Sequence, residues 1–180
     1  MILKDLKKFS QNVQKNNFLI NTILEVNQNF DIIFIQELSW TTLRTIPSSM
    51  NSEGIPLLGV PNHPNWLTFA REPCSTNDSP RVIIYINVRL SSLCFLLHKD
   101  IINHHDMLLT SFFNNRIVYW IMNIYSDFSH STLKYLKNTE VNISKLWLVT
   151  SILEIVFGTH LFLTIQLLVM ILWPLQTLLI

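Results

Sequence analysis

The chain has 180 residues, a length that allows one domain with its own core, and its net charge is +1. Apolar residues make up 49% and charged residues 14%. Because the net charge is close to zero, nothing in the overall charge indicates a nucleic-acid partner. Cys74 and Cys94 lie far apart without metal-ligand spacing, which favours reduced thiols over a disulfide framework. Residues 1–10 are too polar for a signal peptide, and we therefore expect an intracellular protein, nuclear or cytoplasmic.

The first third of the chain predicts a helix, a strand and a long loop. Apolar positions over residues 12–29 recur with a loosely helical period. Residues 30–36 form an apolar run of β-branched and aromatic side chains, which is typical of a strand covered on both faces. Residues 38–66 are interrupted repeatedly by proline, glycine and serine and are therefore predicted to be a loop. Trp40, Trp66 and Phe69 are expected to anchor it.

The next part of the chain predicts several strands and one helix. Strands are expected at residues 81–89, 92–97, 107–113 and 116–125, followed by a helix over residues 129–141. Strands separated by polar loops, with few helices between them, favour an α+β fold with a largely antiparallel layered sheet.

The end of the chain differs in composition from the rest. Residues 161–180 carry no charged side chain, and an apolar helix of twenty residues can cross the hydrocarbon of a membrane. We therefore divide the chain into a domain at residues 1–147 and an apolar helical tail at residues 148–180. If the tail is a genuine span, the protein has a membrane as a partner and a membrane localisation.

One set of polar residues has the chemistry of metal-assisted phosphodiester hydrolysis, which needs oxygen ligands for Mg²⁺ and donors for phosphate. Glu37 follows a buried-type strand and is thereby held at the rim of a sheet. Asn123, Tyr125 and Asp127 alternate along one strand and point to one face. Asn12 could orient Glu37 or a phosphate oxygen. Each also has a structural alternative: a buried Asn satisfies backbone groups, a strand Tyr packs, and a strand-end Asp caps a turn.

Other candidates are weaker. His104, His105 and Asp106 are metal-ligand types, but neighbouring residues point apart on a regular element, so a polar loop is the preferred interpretation. Arg81 and Arg89 flank one predicted strand, where they could face a DNA backbone or ordinary solvent. The isolated glycines Gly54 and Gly59 form no phosphate-cradling loop, and no small-molecule cofactor is expected.

The order of several segments resembles the endonuclease/exonuclease/phosphatase superfamily. These segments are Asn12, FDIIFIQE ending in Glu37, PRVIIYIN at residues 80–87 and NIYSD at residues 123–127. Residues 51–69 and 123–143 more narrowly resemble the endonuclease domain of fungal LINE-type (non-LTR) retrotransposons. The resemblance covers about residues 10–147.

The resemblance implies a four-layer α/β sandwich of the deoxyribonuclease-I-like type, of which this chain would hold the N-terminal part. It implies Mg²⁺ as cofactor and DNA as partner. Glu37 would bind the metal, Asn12 would lie beside it, Tyr125 would face the phosphate, and Asp127 would be a further polar site residue.

The chain departs from the family pattern after residue 147. The family's Gly-Asp-Xaa-Asn motif is expected at residues 148–152, where the chain reads Leu-Val-Thr-Ser-Ile, and its closing Ser-Asp-His motif is absent. An offset reading frame across residues 148–166 is compatible with Gly-Asp-Phe-Asn and the family's continuation. The sequence thus predicts a catalytically incomplete endonuclease-like domain with an out-of-frame tail. A tail-anchored membrane protein and a DNA-binding remnant without cleavage stay open as alternatives.

Overall fold

The computed structural model describes residues 6–47, 49–50, 55–73, 79–114, 117–125, 131–138, 151–157 and 161–167. Asp127, residues 148–150 of the expected Gly-Asp-Xaa-Asn position and residues 168–180 of the apolar tail lie outside this part of the chain.

The first sheet has four strands in the order β1-β2-β6-β5. They are β1 (Lys8–Asn12), β2 (Ile32–Gln36), β5 (Trp66–Ala70) and β6 (Val82–Asn87), and only the β1–β2 pair is parallel. Helix α1 (Asn17–Val26) connects β1 to β2, and its first turn is capped by the side chain of Asn16, which accepts from the Leu19 N–H. The helix predicted over residues 12–29 is therefore shorter, and Asn12 belongs to a strand.

The second sheet has five strands in the order β11-β10-β9-β8-β7. They are β7 (Leu96–Leu97), β8 (Met107–Asn114), β9 (Ile117–Ile124), β10 (Ser151–Phe157) and β11 (Leu161–Leu167). Helix α2 (Ser131–Asn138) falls within the predicted helix. Most of the strand predicted at residues 92–97 is wrong, because Val88–Leu93 form a 3₁₀ helix and only two residues pair as a strand.

Alternation along the central strands builds three apolar layers. Ile32 and Phe34 of β2 face the second sheet and meet Ile121 of β9 in the core between the sheets. Ile33 and Ile35 point the other way and pack against α1. The outer face of the second sheet is covered by Tyr135 of α2 together with Ile101 and Ile102. This layering agrees with the α+β prediction and fixes which side of each strand the polar residues occupy.

The loop predicted at residues 38–66 contains a β-hairpin instead. Strands β3 (Thr41–Ile46) and β4 (Ile55–Gly59) pair with each other antiparallel and form a separate two-stranded sheet. The indole of Trp40 donates to the Pro80 carbonyl at 2.7 Å, and that of Trp66 donates to the Leu24 carbonyl at 2.9 Å. The tryptophans therefore anchor this segment as expected.

The predicted helical tail is wrong for the residues that the structure describes. Residues 151–157 pair parallel with β9, and residues 161–167 pair antiparallel with residues 151–157. Within the described ranges no helix is long and apolar enough to cross a membrane.

Candidate active site

Glu37 and Tyr125 meet at the rim where β2 and β9 end. Glu37 directly follows Gln36, the last residue of β2, which lies on the same inward face as Phe34. Tyr125 directly follows β9 and lies on the same face as Tyr119 and Ile121. The Tyr125 hydroxyl donates to Oε1 of Glu37, a contact between residues 88 positions apart. Both side chains are half-buried. The structure thus brings together two of the four predicted site residues.

Glu37 has a backbone conformation that is unusual for a residue with a side chain. Its φ is 54°, in the left-handed region. Its carbonyl accepts from the Lys15 N–H at 2.7 Å, and the N–H of the next residue, Leu38, donates to the Arg81 carbonyl at 3.0 Å. Such conformations cost about 1–3 kcal/mol and persist where surrounding bonds fix them, often at functional sites.

Asn12 lies on β1 directly across from Gln36, one position from Glu37 along the neighbouring strand. Its side-chain oxygen accepts from the Gln14 N–H at 2.9 Å. Gln14 and Lys15 both have positive φ, so Asn12 stabilises a tight turn that holds the backbone next to Glu37. In this structure Asn12 therefore has a turn-stabilising role beside the site.

Asn123 is a structural residue between the two sheets. It is fully buried; its Nδ2 donates to the carbonyls of Ile35 and Ile83 at 3.1 and 2.9 Å, and its Oδ1 accepts from Gln36 at 2.8 Å. The structural alternative given for a buried Asn therefore describes this residue.

Arg81 and Asp106 complete the rim and were not singled out as a pair by sequence reasoning. The Arg81 guanidinium donates to both carboxylate oxygens of Asp106, whose side chain is 0% exposed. The Cζ atom of Arg81 lies 4.8 Å from the centroid of the Tyr125 ring, within cation–π range. The N–H of Tyr125 donates to the Asp106 carbonyl at 2.9 Å. A buried-type strand preceded by Arg was the only sequence signal for this arrangement.

The polar loop preferred for His104, His105 and Asp106 is confirmed, because they lie in the turn before β8 and not on a regular element, where neighbouring side chains would point apart. Their ligand-type atoms all fall within 4.8 Å of one another. Asp106 is nevertheless engaged by Arg81, and its Oδ2 lies 3.1 Å from Nε2 of His105. His104 Nδ1 accepts from the Asp106 N–H at 3.1 Å. A cation here would have to displace a guanidinium, so the cluster fits a charge-paired network better than a metal centre.

Burial lowers the pKa of His104 below its usual value, and the neighbouring His105, Arg81 and Arg71 act in the same direction while Asp106 opposes them. A neutral His104 suits its role as acceptor from the Asp106 N–H.

Arg89 and His63 lie away from the rim. Arg89 pairs with Asp31 at 2.9 Å beyond the opposite end of β6 and its side chain is 46% exposed, in agreement with the ordinary-surface alternative. His63 joins its loop to α1: its Nδ1 accepts from the Asn65 N–H at 3.2 Å and its Nε2 bonds Glu25 at 2.9 Å.

Glu37 is the residue at this rim that fits a divalent cation. Mg²⁺ is commonly held by one or two carboxylates together with water and substrate phosphates. The Tyr125 hydroxyl uses one of the roughly four lone-pair positions of the carboxylate. Among the residues that the structure describes, no three His, Cys, Asp or Glu side chains including Glu37 converge as a ligand set. A cation at Glu37 would therefore depend on substrate oxygens or on parts of the chain outside the described ranges.

The comparisons with known proteins point to a nuclease fold. No protein-family model and no curated protein matches the chain. Among solved structures, the chain is similar to the endonuclease domain of TRAS1, a telomere-specific non-LTR retrotransposon, with a TM-score of 0.55 and 10% sequence identity. The match covers 83% of this chain and 59% of that domain. At this identity the likeness shows that the chain shares the fold of a retrotransposon endonuclease domain.

Proposed function

We propose that this chain is a retroelement-derived endonuclease-type domain, built for Mg²⁺-dependent phosphodiester chemistry on DNA and catalytically incomplete in this copy. The observation that carries the proposal is the contact between Glu37 and Tyr125 at the joined rim of two sheets, in a fold similar to a retrotransposon endonuclease domain. A metal-ligand carboxylate and a phenol that can donate to phosphate are thereby within reach of one small ligand.

Each residue has a distinct role in this proposal. Glu37 holds the cation, and Asn12 keeps the neighbouring turn in place. Tyr125 donates its hydroxyl to Glu37 and can exchange that acceptor for a phosphate oxygen when DNA binds. Asp127 is kept as a further polar group close to Tyr125 in sequence. A Mg²⁺ ion at such a site supplies charge stabilisation to the phosphate and lowers the pKa of bound water.

The incompleteness follows from the sequence at residues 148–152, where Leu-Val-Thr-Ser-Ile replaces the expected Gly-Asp-Xaa-Asn. Catalytic groups act as a unit, and losing one commonly removes several orders of magnitude of rate. We propose that residues from about 147 onward are an out-of-frame translation. Resequencing the locus and its transcript tests this, because stop codons and unrelated residues in the offset frame would refute it.

The function is tested by comparing DNA binding with DNA nicking. Full-length protein is titrated with a fluorescent duplex in Mg²⁺ and in EDTA, and supercoiled plasmid is incubated under the same conditions. Glu37→Ala is the test variant and Glu72→Ala is the control, since Glu72 is an exposed acidic residue outside the rim. We expect Mg²⁺-strengthened, salt-sensitive binding that is lost in Glu37→Ala and kept in Glu72→Ala, with no nicking above the Glu37→Ala background.

The other outcomes each decide a part of the proposal. Mg²⁺-dependent nicking that disappears in Glu37→Ala would show an active nuclease and overturn only the incompleteness. Binding that is equal in Mg²⁺ and EDTA and unaffected by Glu37→Ala would overturn the assignment of Glu37. Absence of binding at low salt would overturn the function itself.

A further inference from the structure

Arg81, the residue just before β6, contacts several residues of the rim through its backbone and its side chain. Its carbonyl accepts from the N–H of Leu38, next to Glu37, at 3.0 Å. Its own N–H donates to the His105 carbonyl, next to Asp106, at 2.9 Å. The backbone of Arg81 thus joins the end of β2 to the turn before β8.

The side chain of Arg81 lies between a buried carboxylate and an aromatic ring. Both oxygens of Asp106 accept from the guanidinium, which fixes its plane as well as its position. The cation then lies against the Tyr125 ring, with Cζ 4.8 Å from the centroid. The Arg81 side chain is only 26% exposed, so this contact is partly shielded from water.

Tyr125 is held on its other sides by its backbone. Its N–H donates to the Asp106 carbonyl at 2.9 Å, and its carbonyl accepts from the Thr132 hydroxyl at 2.7 Å. These bonds fix the main chain, whereas the direction of the ring depends on side-chain contacts. Asp106 therefore acts twice, through its carbonyl on the Tyr125 backbone and through its carboxylate on the arginine that packs against the ring.

We propose that Arg81 is a positioning residue that, anchored by buried Asp106, holds the Tyr125 ring so that its hydroxyl reaches Glu37. This inference rests on the proposed function, because it assigns a purpose to the Glu37–Tyr125 contact. A direct contact of Arg81 with a DNA phosphate is less favoured, since Asp106 already uses one full edge of the guanidinium.

The test uses nuclear magnetic resonance of the full chain labelled with ¹³C at tyrosine Cζ, which gives one signal for each of the 4 tyrosines. The Tyr125 signal is assigned by its loss in Tyr125→Phe. Mn²⁺, added together with a DNA duplex that supplies phosphate oxygens, serves as a paramagnetic probe of the cation site, and its effect on each signal reports proximity. Buried Tyr85, whose hydroxyl donates to the Pro61 carbonyl, reports that the domain is folded.

Arg81→Gln is the test variant and Arg89→Gln is its matched control, because Arg89 also pairs with an aspartate at the other end of the same strand. We expect Mn²⁺ to broaden the Tyr125 signal selectively in the unmodified protein and in Arg89→Gln. In Arg81→Gln the Tyr125 signal should be shifted before any metal is added. After Mn²⁺ is added, it should show little of the broadening seen in the unmodified protein, while the Tyr85 signal stays unchanged. Asp106→Asn should reproduce this result, and Arg81→Lys should give a smaller change.

A Tyr125 signal that is the same in Arg81→Gln and Arg89→Gln would overturn the positioning role. If Arg81→Gln loses the Tyr85 signal of the folded domain, Arg81→Lys is judged by the same comparison. Absence of selective broadening in the unmodified protein would overturn the assignment of the cation site to Glu37, as distinct from DNA binding itself. The positioning role would then still be decided by the metal-free shift of Tyr125.

Discussion

At the scale of single residues, the backbone of Glu37 offers a measurable signature of the site. A side chain at φ 54° is disfavoured, and glycine removes that penalty. Glu37→Ala and Glu37→Gly both remove the acceptor of the Tyr125 hydroxyl. The free-energy cost of losing that hydrogen bond is therefore the same in the two variants and does not enter their difference. We expect Glu37→Gly to be more stable than Glu37→Ala by about 1 kcal/mol in urea unfolding.

The same pair of substitutions at Glu25 provides the control, because Glu25 lies within helix α1. There glycine should be less stable than alanine by about 1 kcal/mol. If glycine were also the less stable residue at position 37, the left-handed conformation of Glu37 would not hold in solution.

The sequence predicted that Glu37 and Tyr125 lie at strand ends, but it did not predict that Arg81 and Asp106 pair beside them. Glu37 and Tyr125 follow apolar strands whose alternation is visible in the sequence, so their place at a rim could be predicted. The pair of Arg81 and Asp106 joins residues that are 25 positions apart in the chain, and nothing local couples them. The polar loop expected at His104, His105 and Asp106 is present, but the approach of their ligand-type atoms to within 4.8 Å of one another depends on the fold of that turn and could not be predicted.

At the scale of elements, Asn123 joins β9 of one sheet to β2 and β6 of the other. Asn123→Leu would remove the two hydrogen bonds that the Ile35 and Ile83 carbonyls accept from Asn123 and the one that the Gln36 amide donates to it, all inside the core. We expect a loss of about 3 kcal/mol in the free energy of unfolding, measured by urea denaturation, because each buried hydrogen bond contributes about 1 kcal/mol.

Thr110→Val is the matched comparison at the level of elements. Thr110 is equally buried, but its hydroxyl makes a bond of 3.5 Å to the Ile121 carbonyl within the same sheet. A loss within about 1 kcal/mol is expected there. Equal losses in the two variants would show that the polar contact between the sheets contributes nothing specific.

The central strands could be predicted from the sequence, whereas the β3–β4 hairpin could not. Strands β2 and β6 are apolar on both faces because they lie between α1 and the second sheet, and this leaves a continuous apolar run. The hairpin contains Pro47 and Pro56 and has exposed apolar side chains, with Leu43 62% exposed. Its composition therefore predicted a loop.

At the scale of the whole molecule, the apolar end of the chain shows the limit of hydropathy. An uncharged run of leucine and isoleucine suits a membrane helix and a buried strand equally well, and its periodicity does not separate them. In the structure residues 151–157 pair along the edge of β9, and residues 161–167, the start of the uncharged run, pair with residues 151–157. An available sheet edge is tertiary context, which the sequence alone does not display.

The stability of the whole molecule should depend on pH through two histidines. Burial lowers the pKa of both His98 and His104 in the folded protein below the usual value of 6.5. The unfolded chain therefore takes up protons first as the pH falls below about 6.5, and protonation favours unfolding until the folded-state pKa is passed. We expect the urea midpoint to fall between pH 7.5 and pH 5.5. The double variant His98→Gln and His104→Asn keeps polar groups beside Ser111 and the Asp106 N–H, and it should flatten this dependence. An unchanged slope in the double variant would place the pH dependence in other groups.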